Sequence, residues 1–294
     1  MKYFLAYMIG ATCALSVFAL RVVAAEKPES ADAARFDAEK AAARAADHMH
    51  RLKLLCPGDP EKRLALVDRP LLAFGDSTRA TSRGSLWTWS ERGADRTRPV
   101  LFLELYQIGG FEGQWFHAIS LASKPNVALD APGAPRWQPK TSDARFVPLD
   151  EAPEPTAKEA GRLRQLRDAA RRFTAHEFWH PENSRHELRV LPQPIHRYSD
   201  PAERVQDGAV FAIVHGTNPE AVLLIEILDS SADSGSAGSG SDGAGRWQYA
   251  VLRSSDAEGR IQLDGKEVAA WDRAVHTANG IRESYHVFIT PQEP

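Results

Sequence analysis

The residue types best suited to chemistry stand together in the sequence HEFWH at 176–180. His176 and His180 are four residues apart, so on an α-helix they would share one face and could bind a single metal ion. Glu177 would then act as the general base on a metal-bound water, and His186 could supply a third ligand. The spacing therefore predicts zinc as the candidate cofactor and a hydrolase as one candidate activity.

The complete run HEFWHPENSRH at 176–186 is similar to the zinc-binding motif of the metzincin zinc proteases. The resemblance covers only this run and implies a peptidase-like hydrolase that uses its three histidines as metal ligands. Asn183 stands where that family has glycine, and Pro181 interrupts the helix that the family continues. The family also has a downstream methionine turn, whereas the last methionine of this chain is Met49.

Two glutamates form a second candidate site, this one for binding. Glu104 interrupts the apolar run VLFLEL (100–105), and Glu226 interrupts VLLIEI (222–227). A carboxylate in a buried strand must be paired or hydrogen-bonded, or else its pKa rises. Two such groups at matched positions could line a central cleft, although interior ion pairs are the commoner reason for buried carboxylates.

Both glutamates lie in an internal repeat, because the segment 186–271 matches 62–137 in sequence. The matched pairs include Pro70 with Pro194, Gly84 with Gly208, Glu104 with Glu226, Trp115 with Trp247, and Trp137 with Trp271. Matched tryptophans are expected in the core, since each buries a large area. If they were exposed they could stack on sugar rings, which gives a glycan-binding module as a further alternative.

The first half of the chain predicts one helix and a set of short strands. Residues 30–50 indicate a helix that ends before CPGDP at 56–60. Residues 62–137 indicate six strands separated by turn residues, with VLFLELY (101–106 and the preceding valine) as a central strand covered on both faces. The proline-rich residues 131–155 form a connector with a single strand.

The second half predicts the element that would hold the histidines. Thr156 and Glu159 form a capping box, so a helix should begin there and end near Trp179. The Gly/Ser-rich insertion at 230–245 indicates a surface loop. Asn279-Gly280 indicates the turn of a C-terminal hairpin, followed by a last strand at 284–290.

The N-terminus and the composition bear on location. Residues 1–25 have a basic start, an apolar stretch and small residues before Glu26, which predicts a signal peptide and no transmembrane anchor after cleavage. The protein is therefore expected in the periplasm or outside the cell. A formal net charge of −3 gives no electrostatic basis for binding nucleic acid. Cys56 alone would remain, so no intrachain disulfide can form.

Longer segments carry a second resemblance. The runs RLRQLRDAARRFTAHEFW (162–179), LRVLPQPIHRYSD (188–200) and DGAVFAIVHGTNPEAVLLIEI (207–227) resemble a family of exported bacterial proteins whose activity is uncharacterised. The resemblance covers most of the mature chain. It implies an exported α+β protein and says little about activity.

These observations predict an α+β fold of two tandem pseudo-repeats packed as one β-rich body, each a helix followed by about six antiparallel strands. Residues 26–155 would hold the first repeat with the connector, and 156–294 the second repeat with the C-terminal hairpin. The expected function is an exported, non-catalytic binding or structural protein of the cell envelope, whose partner is an envelope protein or a ligand. A zinc-dependent hydrolase and a glycan-binding module are the alternatives, and zinc is the only cofactor that the sequence suggests.

Overall fold

The computed structural model of the chain describes residues 31–62, 64–76, 81–91, 97–180, 182–229, 247–277 and 280–292. The chain separates into two compact units, Met1–Ala43 and Arg44–Pro294. Helix α1 (Ala31–Arg51) begins in the first unit and ends in the second. All the strands and the site described below belong to the second unit.

Strands make up most of the described secondary structure. In chain order they are β1 (Lys53–Leu55), β2 (Leu64–Leu66), β3 (Leu72–Asp76), β4 (Thr81–Glu91), β5 (Leu101–Ile108), β6 (Gln114–Leu121), β7 (Ala128–Asp130), β8 (Val147–Pro148), β9 (Phe173–Trp179), β10 (Ser184–Val190), β11 (His196–Asp200), β12 (Val205–His215), β13 (Asn218–Leu228), β14 (Trp247–Arg253), β15 (Glu258–Leu263), β16 (Lys266–Trp271) and β17 (Tyr285–Pro291). Helix α2 (Glu159–Ala170) precedes β9, and a 3-10 turn (Gly280–Arg282) precedes β17.

These strands form three antiparallel sheets. The six-stranded sheet has the order β17-β6-β5-β4-β2, with β3 also paired to β4. The nine-stranded sheet has the order β16-β15-β9-β10-β12-β13-β14-β8, with β11 also paired to β12. The third sheet contains β1 and β7. The six strands predicted in 62–137 are thus confirmed as β2 to β7.

Three clusters of buried apolar side chains cover the sheets, because the central strands bury side chains on both faces. Along β5, Leu103 belongs to a cluster with Met49 of α1, while Phe102 belongs to a cluster shared with Val210 and Leu224 of the nine-stranded sheet. A third cluster joins the other face of the nine-stranded sheet to α2. The prediction that VLFLELY is a central strand covered on both faces is confirmed.

The predicted fold class is wrong. The protein is mostly β, with seventeen described strands and two described α-helices, rather than two helix-plus-strand repeats. Strand β17, from the C-terminal region, completes the six-stranded sheet, and β8, from the connector, extends the nine-stranded sheet. Each sheet therefore takes strands from outside the repeat to which the sequence assigned it.

The sequence repeat corresponds to a local structural similarity between two strand pairs, β3–β4 and β11–β12. Phe74 lies opposite Gly84 in the β3–β4 pair, and Tyr198 lies opposite Gly208 in the β11–β12 pair. Each pair has a register shift just beyond this position, before the aspartate. The aromatic ring covers the glycine so closely that a Cβ there would lie 2.2 Å from Phe74 or 2.4 Å from Tyr198.

Two predicted elements of the second half are wrong. Helix α2 ends at Ala170 and its N-cap is Lys158, so Thr156 does not cap it and HEFWH lies on strand β9. Four residues of FTAHEFW, two phenylalanines, a threonine and a tryptophan, favour a strand once the chain can pair on both sides. The last strand is confirmed as β17, but it pairs with β6 instead of forming a hairpin with β16. The predicted loop at 230–245 lies outside the described residues.

Candidate functional site

The strand placement separates the histidines that the zinc prediction requires. His176 on β9 lies opposite Glu187 on β10, and Glu177 lies opposite His186. Because successive side chains of a strand point to opposite faces, His176 and His186 face opposite sides of the sheet. Asn183 does adopt a left-handed conformation, with φ of 53°, but in the turn between β9 and β10.

The second histidine of the motif lies beyond the strand. His180 follows β9 and is exposed, and its Nε2 is 4.0 Å from the Glu258 carboxylate. Burial lowers the pKa of His176, which is a neutral side chain packed edge-on against Phe178. Within the described ranges, no group of three or more His, Cys, Asp or Glu side chains is arranged to hold a metal ion. The geometry thus gives the zinc-hydrolase prediction no support.

Glu177 instead positions an aromatic side chain. Its carboxylate is 1% exposed, and its Oε1 accepts a 2.7 Å hydrogen bond from the indole nitrogen of Trp179. His215 Nδ1 is 3.8 Å from the same oxygen, and the His215 and His186 rings pack against the Trp179 indole. Glu177 therefore fixes the orientation of Trp179, one wall of the cleft described below.

Glu226 is a structural residue. It is fully buried, and Arg98 donates two hydrogen bonds to its carboxylate, of 2.7 and 2.8 Å. Tyr198 Oη donates a third, of 2.8 Å, and Gln248 Nε2 a fourth, of 2.5 Å. A carboxylate with two donors on each oxygen has no lone pair left for a ligand. Glu226 therefore belongs to an interior ion pair, the commoner reason for a buried carboxylate, and its fully buried side chain does not line a cleft.

Glu104 lies in a different environment because the two glutamates are not equivalent in the sheets. Gly208 is opposite Glu226, whereas its sequence counterpart Gly84 is opposite Tyr106. The strand pairing therefore matches Glu226 with Tyr106, two residues along the strand from Glu104. The sequence match between Glu104 and Glu226 is therefore in error by two residues. A shift of two residues keeps each side chain on the same face of its strand, so the apolar pattern does not reveal the error.

Glu104 lines a cleft of about 350 Å3 that residues of both large sheets border. On β5, Glu104 and Tyr106 share the cleft face, while Leu103 and Leu105 face the core. The other walls come from the end of β9, the start of β13, the turn between β14 and β15, and β17. The lining side chains include Glu104, Tyr106, Phe178, Trp179, His180, Asn218, Ser254, Asp256, Arg273 and Tyr285.

The turn at Ser254–Ala257 is held rigidly against the cleft. Arg253 Nε donates to the Ser255 carbonyl at 2.5 Å, and its Nη2 donates to the Asp256 carbonyl at 2.9 Å. The same guanidinium lies over the Tyr285 ring, 4.7 Å from its centroid. With the turn so placed, the Ser254 hydroxyl donates to the Glu104 carboxylate. The contact bridges the two sheets at the base of the cleft.

Asp256 provides a second carboxylate at the cleft. Tyr285 Oη donates to its Oδ1 at 2.9 Å, and His276 Nε2 lies 2.8 Å from its Oδ2. Burial by itself would raise the pKa of Asp256, but the hydrogen bonds from His276 and Tyr285 outweigh it and lower that pKa. The hydrogen bond to Asp256 also raises the pKa of His276. Asp256 therefore stays ionised at neutral pH.

The matched tryptophans lie mainly in the core, as predicted. Trp115, Trp137 and Trp247 are 6%, 1% and 1% exposed. Trp271 is partly buried, covers Gly259 and donates its indole N–H to the Ala257 carbonyl at 3.0 Å. A glycan-binding surface made of these four side chains is therefore not available, and Trp179 is the tryptophan on the cleft beside Glu104.

The sequence identified Glu104 but not the groups around it. Ser254 and Asp256 stand in a short polar run after an apolar strand, which indicates only a turn. Tyr285 reaches Asp256 across 29 residues, and Ser254 reaches Glu104 across 150. No local pattern connects residues so far apart in the chain.

Comparisons with protein-family models, curated proteins and solved structures give no match to this chain. In the part of the chain that the structure describes, no helix has the length and apolar character needed to cross a membrane. Any assignment of function therefore depends on the geometry of the cleft and on the N-terminal sequence.

Proposed function

We propose that this chain is an exported, non-catalytic binding protein of the cell envelope that takes a small ligand into the cleft beside Glu104. The observation that carries the proposal is the cleft itself: about 350 Å3, with the buried carboxyl group of Glu104, the ionised carboxylate of Asp256 and four aromatic rings on its walls. Ligand pockets typically have volumes of about 300–1,000 Å3, so a small molecule fits.

Ligand binding is supported by the way the two carboxyl groups are held. Ser254 donates to Glu104, while Tyr285 and His276 hold Asp256. Such contacts fix charged groups in a ligand site before the ligand arrives, which lowers the entropic cost of binding. Export is supported by the signal-peptide pattern of residues 1–25, which lie outside the described residues.

The binding function is tested by thermal shift with a library of small metabolites on the purified full chain. Ala257 lines the cleft and is partly exposed, so Ala257→Trp should fill the space. Ala202, exposed in the turn before β12, provides the matched control Ala202→Trp. A ligand at 100 times its Kd stabilises the folded state by about 2.7 kcal/mol.

A ligand that raises the melting temperature of the wild type and Ala202→Trp, but not of Ala257→Trp, supports the proposal. A library in which every effect persists in Ala257→Trp contradicts it.

Export is tested separately by cell fractionation and N-terminal sequencing, with a mature N-terminus at Glu26 expected. Retention of the chain with Met1 in the cytoplasm would contradict the export part alone.

A further inference from the structure

The chemistry of the cleft walls indicates a ligand class. We infer that the cleft binds a neutral carbohydrate, a mono- or disaccharide, stacked on Trp179 and Tyr106 and held through its hydroxyls by Asp256. The inference rests on the proposed binding function and narrows it to one kind of ligand. It assigns the site to side chains other than the matched tryptophans.

The charges of the walls favour a ligand without net charge. Asp256 contributes a negative charge to the walls and Arg273 contributes a positive charge. A cationic ligand is attracted by Asp256 and repelled by Arg273, and an anionic ligand the reverse, so neither sign gains a net attraction. A hydroxyl group donates and accepts, so a polyhydroxylated ligand can pair with both kinds of wall.

The aromatic walls suit a ring that is apolar on its faces and polar at its edge. Trp179 and Tyr106 are both partly exposed at the cleft, unlike the core tryptophans. The indole of Trp179 is already oriented by its 2.7 Å hydrogen bond to Glu177. A pyranose packs its C–H face on such a surface while its hydroxyls point outward to polar groups, and a pre-oriented ring loses little entropy on binding.

Asp256 is the side chain best placed to receive those hydroxyls. Among the residues that the structure describes, Tyr285 Oη is the partner of its Oδ1 and His276 Nε2 the partner of its Oδ2. A carboxylate oxygen has two lone pairs, so each can accept one more hydrogen bond, and bonds to an ionised acceptor are the stronger kind. Its side chain is 46% exposed, so a ligand can reach it.

The test is calorimetric titration of the purified full chain with glucose, galactose, N-acetylglucosamine, cellobiose and chitobiose. Choline and inorganic phosphate serve as small charged probes. We expect saturable binding of at least one sugar and of neither charged probe. Trp179→Ala should weaken that binding by about tenfold, because the sugar loses the large apolar surface on which its C–H face packs. Asp256→Asn should weaken it by a similar factor.

Phe111→Ala is the matched control, because Phe111 is 45% exposed and lies outside the cleft lining. It should leave the affinity unchanged. If Trp179→Ala does not fold, Asp256→Asn alone decides, as it keeps the shape of the side chain. Sugar binding that is equal in wild type and both variants overturns the inference, as does the absence of binding by every sugar.

The two proposals fail in different ways. If choline or phosphate binds and Ala257→Trp abolishes that binding, the carbohydrate class is wrong and the binding function stands. If neither the sugars nor the metabolite library gives an effect that Ala257→Trp removes, the binding function itself is wrong.

Discussion

Replacing Glu226 by glutamine should destabilise the protein strongly, although the residue lies far from the cleft. The substitution removes the charge that two hydrogen bonds from Arg98 and one each from Tyr198 and Gln248 satisfy. The Arg98 side chain is only 20% exposed and would be left unpaired. Breaking a buried ion pair on one side costs about 3–5 kcal/mol, a large part of the about 5–15 kcal/mol that stabilises a typical domain.

The measurement is the free energy of unfolding in urea, followed by tryptophan fluorescence and by circular dichroism. Glu187→Gln is the matched control, since Glu187 and its partner Arg185 are 68% and 54% exposed. An exposed pair contributes about 0–1 kcal/mol, so this variant should resemble the wild type. Tyr198→Phe removes one hydrogen bond to the same carboxylate and should cost about 1.5–3 kcal/mol.

A double-mutant cycle separates the ion pair from the shape of the side chain. With Arg98→Met already in place, Glu226→Gln should cost less than it does alone, because no unpaired guanidinium remains. A loss below about 1 kcal/mol for Glu226→Gln in the wild type, equal to that of Glu187→Gln, would refute the reasoning. So would identical costs of Glu226→Gln with and without Arg98.

Three further outcomes are expected. His48 and His117 share a buried Nε2–Nε2 hydrogen bond of 2.8 Å, and burial lowers their pKa values to about 4 and about 3. The unfolded chain takes up protons near pH 6.5 while the folded chain does not, so stability should fall between pH 6.5 and 4, by about 3 kcal/mol for His48 alone. Urea titrations at pH 7 and 4.5 that gave equal stabilities would contradict this. Gly208→Ala should destabilise the protein by about 1–3 kcal/mol, because the added Cβ would lie 2.4 Å from the Tyr198 ring. At an open site the same substitution stabilises a protein. A rise in the melting temperature would therefore show that the Tyr198 ring moves freely. Finally, a chelator should leave the melting temperature unchanged, and elemental analysis should find no stoichiometric zinc. The reason is that His176 and His186 face opposite sides of the sheet. One zinc per chain would restore the hydrolase prediction.

Much of the β-structure could be predicted because its signals are local. Runs such as WFHAISL and NVALD alternate or concentrate apolar residues over the length of a strand, and glycine or proline ends them. The wrong helix over HEFWH has a local cause as well. A capping pattern at Thr156 and a long charged stretch favour a helix, and nothing near residue 171 marks its end. Residues 173–179 form a strand because β9 pairs with β10 and β15, and the local sequence does not show this pairing.

The candidate site was less predictable because its groups meet through tertiary structure. Glu104 was identified from burial and polarity alone, which are properties of its own strand. The roles of the two glutamates could not be told apart, since one meets Ser254 and the other meets Arg98 across 128 residues. An alignment in error by two residues keeps every side chain on the correct face of a strand, so the apolar pattern cannot detect it.

The pairing of β17 with β6 has a consequence for the order in which the molecule can form. Every other described strand is synthesised before β17, and the contact between Phe288 and His117 joins residues 171 positions apart. Until β17 arrives, β6 offers an open row of backbone groups, the kind of edge through which chains aggregate. A partly made or partly translocated chain therefore cannot reach its final state, and it depends on being kept from its neighbours until that strand is released. Under the export proposed above, this late closure would be an advantage, because it postpones the stable state until the chain has crossed the membrane.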